Sequence, residues 1–225
     1  MVPSFMFVGP IVAWLSASSI APVLDGSAPY ANGAPAAWNA TNMAVSNSAA
    51  PLLTLPAGRG IQTVVYDAEP ALTPANDIAN IAQAETAVCA SAHRIGAKCI
   101  LTPSGPAGYL QTALDTGCRV GDGVDLQNQL AETNLPYFSG LVHQEAARCR
   151  SFNPAAEIIV GITTRYGKTT SNATPVQIES AIASVSDVAN RYWFNVPQPG
   201  RACPDCGPFS PSIAAVVIQH YAALR

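Results

Sequence analysis

Asp67 and Glu69 stand two residues apart at the end of a β-branched run, Ile61-Gln-Thr-Val-Val-Tyr-Asp-Ala-Glu-Pro70. In a strand, that spacing sets both side chains on one face. Acids held side by side raise one another's pKa, and a chain with only 11% charged residues has little reason to build such a pair for stability. Paired carboxylates at the C-terminal end of a strand are suited to acid–base chemistry on sugars. Glu69 is the candidate general acid, because a carboxyl in semi-apolar surroundings beside an ionised Asp67 is pushed toward neutrality and can protonate a leaving oxygen. Asp67 is the candidate anion facing positive charge, with Tyr66 or Gln129 supplying hydrogen bonds. The plainer alternative makes Asp67 a loop or capping residue before Thr73, and Glu69 a solvated turn residue beside Pro70.

The elements that would position this pair become regular from residue 61 onward. Strands are predicted over Ile61–Asp67, Lys98–Pro103, Gly123–Leu130, Glu157–Thr163 and Arg191–Val196. Between them the pattern predicts helices from Thr73, as cap, to about Arg94, over Ala107–Thr116, over Leu135–Phe152, and from Pro175 to about Asn190. A last helix is predicted over Ser212–Leu224. Gly96 closes the first helix, and Pro74 fits its first position. Five alternations of strand and helix argue for βαβ units and parallel strands. Residues 1–60 are irregular, with strands expected near Met6–Val8 and Leu52–Leu55. Together these predict one (β/α)₈-type barrel domain over residues 1–225, small or irregular in its N-terminal quarter. An open doubly wound sheet is the rival, but no glycine-rich nucleotide fingerprint follows the first strand.

In a barrel, the strand tips surround one pocket. They carry Tyr66, Asp67 and Glu69, then Thr102 and Ser104, then Asp125, Gln127 and Gln129, then Thr163 and Thr164, and last Trp193 and Asn195. Acids, amides, hydroxyls and an indole suit sugar hydroxyls and sugar faces. Tyr66, Gln127, Gln129, Thr163, Trp193 and Asn195 are therefore the expected substrate-binding residues. Asp-x-Glu at a strand end with Trp193 on the last strand resembles glycoside hydrolase family 18, the chitinase-like barrels. That resemblance implies Glu69 as general acid and Asp67 as the residue orienting the substrate's N-acetyl group. The family's longer D-x-x-D-x-D-x-E pattern is not met, since Gln62 and Val65 hold its earlier positions. The order Tyr-Asp-x-Glu, Gln-x-Gln, Tyr-Trp-Phe-Asn also resembles uncharacterised secreted barrel proteins of actinobacterial type.

Other motifs carry less. Gly161-Ile-Thr-Thr-Arg-Tyr-Gly-Lys-Thr169 has five residues between its glycines where a phosphate loop needs four. Ser104 lacks the Gly-x-Ser-x-Gly elbow. His93 and His143 fall in predicted helices, away from the strand tips. Cys203-Pro-Asp-Cys206 is followed by Gly207 and Pro208 rather than by a helix, which favours a structural disulfide over a redox or zinc site. No metal or cofactor is expected. Asn39-Ala-Thr41 and Asn172-Ala-Thr174 fit glycosylation sequons.

Net charge is −3 with no Lys/Arg run, so nucleic acid is not an expected partner. The apolar stretch Phe5–Leu15 is broken by Pro10, has no preceding Lys or Arg, and is too short to cross a bilayer. It is expected to be part of the folded protein, the alternative being a retained signal peptide, since Ser16-Ala-Ser-Ser-Ile-Ala21 resembles a small-residue cleavage region. Low charge and six cysteines point to a secreted or extracellular protein. The leading expectation is a carbohydrate-active hydrolase acting on a poly- or oligosaccharide. The alternative is a non-catalytic extracellular glycan-binding or surface protein on the same scaffold. All six cysteines are expected to be oxidised, in any of fifteen connectivities. Thiol titration in denaturant should find no free thiol, and two or more reactive thiols would contradict the compartment.

Overall fold

The computed structural model describes residues 4–6, 43–58, 60–164 and 173–195. Its strands are β1 (Ser4–Met6), β2 (Met43–Ser46), β3 (Thr63–Tyr66), β4 (Lys98–Leu101), β5 (Gly123–Leu126), β6 (Glu157–Thr163) and β7 (Arg191–Asn195). Its helices are α1 (Ala49–Leu53), α2 (Ala75–Ala79), α3 (Ile81–Arg94), α4 (Ala107–Val120), α5 (Leu135–Phe152) and α6 (Pro175–Ala183), with a 3-10 turn over Gln129–Ala131.

The strand order is β1-β7-β6-β5-β4-β3-β2. The pairs β2–β3, β3–β4, β4–β5 and β1–β7 are parallel. This is an α/β fold, and it corrects the expected eight-stranded barrel. Closure leaves no strand with a free side, whereas β1 and β2 each end the order with one neighbour among the described residues. The barrel needed two or three full strands from the first 60 residues, and those described there are a three-residue and a four-residue strand. Leu52–Leu55, expected as strand, contains the end of α1 at Leu52 and Leu53 and no strand; the helix's first residue, Ala49, donates its N–H to the Asp77 carboxylate at 2.9 Å. The strand lies earlier, in Met43-Ala-Val-Ser46.

Two compact units divide the chain: Thr41–Gln127 with Gln144–Ile159, and Met1–Ala40 with Asn128–His143 and Val160–Arg225. In the first, Val64, Tyr66, Cys99 and Leu101 pack with Leu52 of α1, Val88, Cys89 and Ala92 of α3 and Ala113 of α4. Val65 and Ile100, pointing to the opposite pleat, are equally buried. Burial of both faces explains why these strands read as continuous apolar runs. Cys89–Cys99 ties α3 to β4, and Cys118–Cys149 ties α4 to α5. Cys203, Cys206 and the helix expected over 212–224 lie outside the described residues.

Helix boundaries follow local chemistry. The predicted helix from Thr73 is two helices, broken at Asn80. There the side-chain amide donates to the Asn76 carbonyl at 3.0 Å and competes with the backbone ladder. Thr73 makes no cap; its hydroxyl is buried without a partner. Gly96 does close α3, with φ +77° and its N–H donating to the His93 carbonyl at 3.0 Å. In the second unit, Thr174 and Gln177 form a reciprocal capping box at the start of α6.

Glu85 of α3 sits against this order. It is fully buried, and neither carboxylate oxygen has a partner. Burial pushes its pKa up to about 9, so it is neutral in the folded protein at pH 7. A pKa raised on folding gives stability that is full below the unfolded value and lost as pH rises through the folded one. The melting temperature should therefore decline from about pH 4.5 toward about pH 9. Glu85→Met removes the titrating group, so its stabilising effect should be greater at pH 8 than at pH 5, by on the order of 4 kcal/mol. Thermal melts across that range check this, and an equal gain at both ends would show that titration is not the cause.

Candidate active site

The register of the first unit sets Ser46, Tyr66, Leu101 and Val124 level across β2, β3, β4 and β5. One residue further along each strand come Asn47, Asp67, Thr102 and Asp125. Side chains at one register level share a face of the sheet, so the ends of four parallel strands deliver an amide, two carboxyls and a hydroxyl in one row. The carboxyl ends of parallel strands are where α/β folds place ligand sites.

Asp67 is the hub of the row. Its Oδ1 accepts from the Thr102 hydroxyl at 2.7 Å and from Gln127 Nε2 at 2.9 Å. Its Oδ2 accepts from Asn47 Nδ2 at 3.1 Å, and the same amide nitrogen reaches the Asp67 carbonyl at 2.6 Å. The backbone holds it as well, since Asp67 N–H donates to the Ser46 carbonyl at 3.0 Å. Burial raises its pKa above the ordinary carboxylate value, while these three donors pull it back down. Asp125 has no such support. It is 2% exposed, its Oδ1 has no partner, and burial followed by the Asp67 charge raises its pKa far above normal.

Glu69 lies beyond the strand, partly exposed. Burial, then the charge of Asp67, raises its pKa to about 7. The loop carrying it is fixed from two directions. The Glu69 carbonyl accepts from the N–H groups of Leu72 and Thr73 at 2.9 and 2.8 Å. From α4, the Tyr109 hydroxyl donates to the Ala68 carbonyl at 3.0 Å. Gly105 lets these parts meet: at φ +151°, a Cβ there would lie 2.8 Å from the Tyr109 ring and 2.9 Å from Pro70.

Of the residues expected from sequence, Asp67 and Gln127 are in direct contact, and Glu69 lies within the field of Asp67. Tyr66 points to the helix-covered face, fully buried, with its hydroxyl 3.4 Å from the Asp77 carboxylate. Gln129, Thr163, Trp193 and Asn195 belong to the second unit. Gln129 lies in the 3-10 turn rather than a strand, and Trp193 is buried on β7. Thr163 ends β6, where its N–H donates to the buried Glu132 carboxyl at 2.9 Å. Burial raises Glu132 to about 9. Asn195 is the last residue of β7, and its side chain is outside the described set.

Sequence reasoning missed Asn47, Tyr109 and Glu132. Asn47 directly follows an unrecognised four-residue strand, so strand-end position was the signal available. Tyr109 and Glu132 act from a helix and from the end of a 3-10 turn, where no strand-tip rule points.

The second unit also holds a Ser–His–Asp set that does not form a nucleophilic triad. His143 Nδ1 lies 2.7 Å from the Ser139 carbonyl, which requires a proton on that nitrogen. Its Nε2 faces both Asp187 oxygens at 3.1 and 3.0 Å. The Ser139 hydroxyl donates to the Ser184 carbonyl at 2.8 Å. The imidazole therefore has no free lone pair aimed at Ser139. Asp187 accordingly raises the histidine's pKa.

Among the described residues, no group of three or more His, Cys, Asp or Glu side chains is placed to hold a metal ion, and no helix is long and apolar enough to cross a membrane. A search of family models finds none that matches this chain, and a search of curated proteins finds no match either. The resemblance to family 18 thus rests on Asp67, Glu69 and Trp193 alone.

Gly105→Ala tests how the loop is held. The added methyl collides with Tyr109 and Pro70 at a backbone angle unsuited to a side chain. Stability should fall by about 1–3 kcal/mol, read in denaturant melts. Tyr109→Phe should cost less, about 0.5–1.5 kcal/mol, because only the hydrogen bond to Ala68 is lost. A neutral Gly105→Ala would show that the contact is not needed.

Proposed function

We propose that this protein is an extracellular carbohydrate-active hydrolase that cleaves O-glycosyl bonds, with Glu69 as proton donor and Asp67 as the stabilising carboxylate. The observation that carries this reading is the contrast between the two acids. Asp67 is locked by three hydrogen-bond donors that favour its anion. Glu69, partly exposed beside it, is poised near pH 7. Acid–base catalysis works best when the group's pKa lies near the working pH, and divergent environments for two acids assign their roles. Two disulfides in a chain with little charge support an oxidising, extracellular setting.

In the proposed step, the glycosidic oxygen takes the Glu69 proton as its bond to the anomeric carbon breaks. The Asp67 carboxylate faces the positive charge that develops on the sugar. Water then gives its oxygen to that carbon and a proton to Glu69, which restores the acid. Gln127 and Thr102 keep Asp67 oriented throughout.

The protonated form of Glu69 is the active one, so turnover should fall as pH rises through about 7. The acid limb should lie above the ordinary Asp range, because Asp67 must be ionised and its pKa is raised. In a glycan-panel assay, Glu69→Gln should lower activity by about 10²–10⁴-fold with little change in melting temperature. An active wild type that is indifferent to Glu69→Gln overturns the assignment. No hydrolysis of any glycan, together with saturable binding of one, would favour the non-catalytic glycan-binding alternative.

A further inference from the structure

The row at the strand ends holds a second carboxyl for which the proposed chemistry has no use. Asp125 is level with Asp67 and Thr102 across β3, β4 and β5. The two acids differ in what surrounds them. Asp67 receives hydrogen bonds from Thr102, Gln127 and Asn47 on both of its oxygens. Asp125 is almost wholly buried, and its Oδ1 receives none. Around it, β4 contributes the uncharged Thr102 and β5 itself contributes the uncharged Gln127. From β3 come Asp67 and then Glu69, both acids. Among the described residues, Asp67 is the charged group that acts on Asp125 appreciably, and its sign is unfavourable to a second anion. Glu157, at the opposite end of the neighbouring strand β6, faces Lys98 at 3.6 Å.

An ionised carboxylate buried with an unbonded oxygen is among the costliest arrangements a fold can hold, and protonation relieves it. When two acids share a region, the one given donors keeps the charge and the other keeps the proton. We propose that Asp125 is the protonated partner of Asp67, a positioning residue whose neutral carboxyl leaves Asp67 as the single anion of the strand-end row. A charged Asp125 would be a second anion in the row that holds Asp67, whose own charge already raises Glu69. The neutral form adds no charge to the burial and the Asp67 field that already raise Glu69, and it keeps an O–H available inside the row.

The protonation state is readable without substrate, so it stands or falls separately from the hydrolase reading. On the full chain with ¹³C-labelled Asp and Glu carboxyls, the Asp125 signal at pH 7 should lie at a protonated-acid shift. Asp125→Asn, which mimics a neutral acid in shape, should leave the Glu69 midpoint unchanged within about 0.3 units. Asp67→Asn, which removes a real charge, should lower it by about one unit. The proposal is overturned if the Asp125 signal is that of an anion, or if Asp125→Asn lowers the Glu69 midpoint as Asp67→Asn does. Should Asp125→Asn fail to fold, the wild-type Asp125 signal decides the matter alone.

Discussion

The level register of β2 through β5 is the constraint on which the candidate site depends. Parallel strands carry their side chains to one face at a common height only when the backbone ladder fixes that height. Here it does so across four strands, from Ser46 through Tyr66 and Leu101 to Val124. A slip of one residue in any strand would turn its polar tip toward the helix-covered face and bring an apolar side chain into the row. The packing that prevents this is apolar: Val64, Tyr66, Cys99 and Leu101 are locked against α1, α3 and α4. Register is thus set on one face and used on the other.

Asp67 shows how such a row can hold charge in a protein that has so little. Its three side-chain donors come from the ends of three other strands, β2, β4 and β5. Hydrogen bonds from neutral groups stabilise a carboxylate without adding a countercharge. The negative charge of Asp67 therefore remains to be felt by Glu69 and Asp125. An arginine in the same place would have neutralised it and removed its share of the shift at both neighbours, leaving burial alone to hold them up.

Much of the fold was legible because it is written in apolar periodicity. The strand over Glu157–Thr163 and the helix over Leu135–Phe152 match the reading residue for residue. What failed was closure. It relied on strands in the first 60 residues, where four-residue Met43–Ser46 is too short for alternation to mark it. The pairing of Asp67 with Gln127 was within reach, because both follow strands at carboxyl ends. Tyr66 was not a consistent choice, since the two-residue period that sets Asp67 on one face turns Tyr66 to the other. Its burial beneath α1 and α3 is the outcome of that rule. The donors Asn47 and Tyr109 depend on register and helix docking, which a linear pattern does not encode.

The four described disulfide cysteines are each at most 2% exposed. A thiolate must reach a sulfur in line to reduce such a bond, so a reductant meets these bonds only after the surrounding core has opened. Their resistance to reduction is then a property of motion rather than of bond chemistry. The rate at which a dithiol consumes them would report how often α3 lifts from β4 and α4 from α5. The same crosslinks that hold those layers together make the protein its own clock for opening.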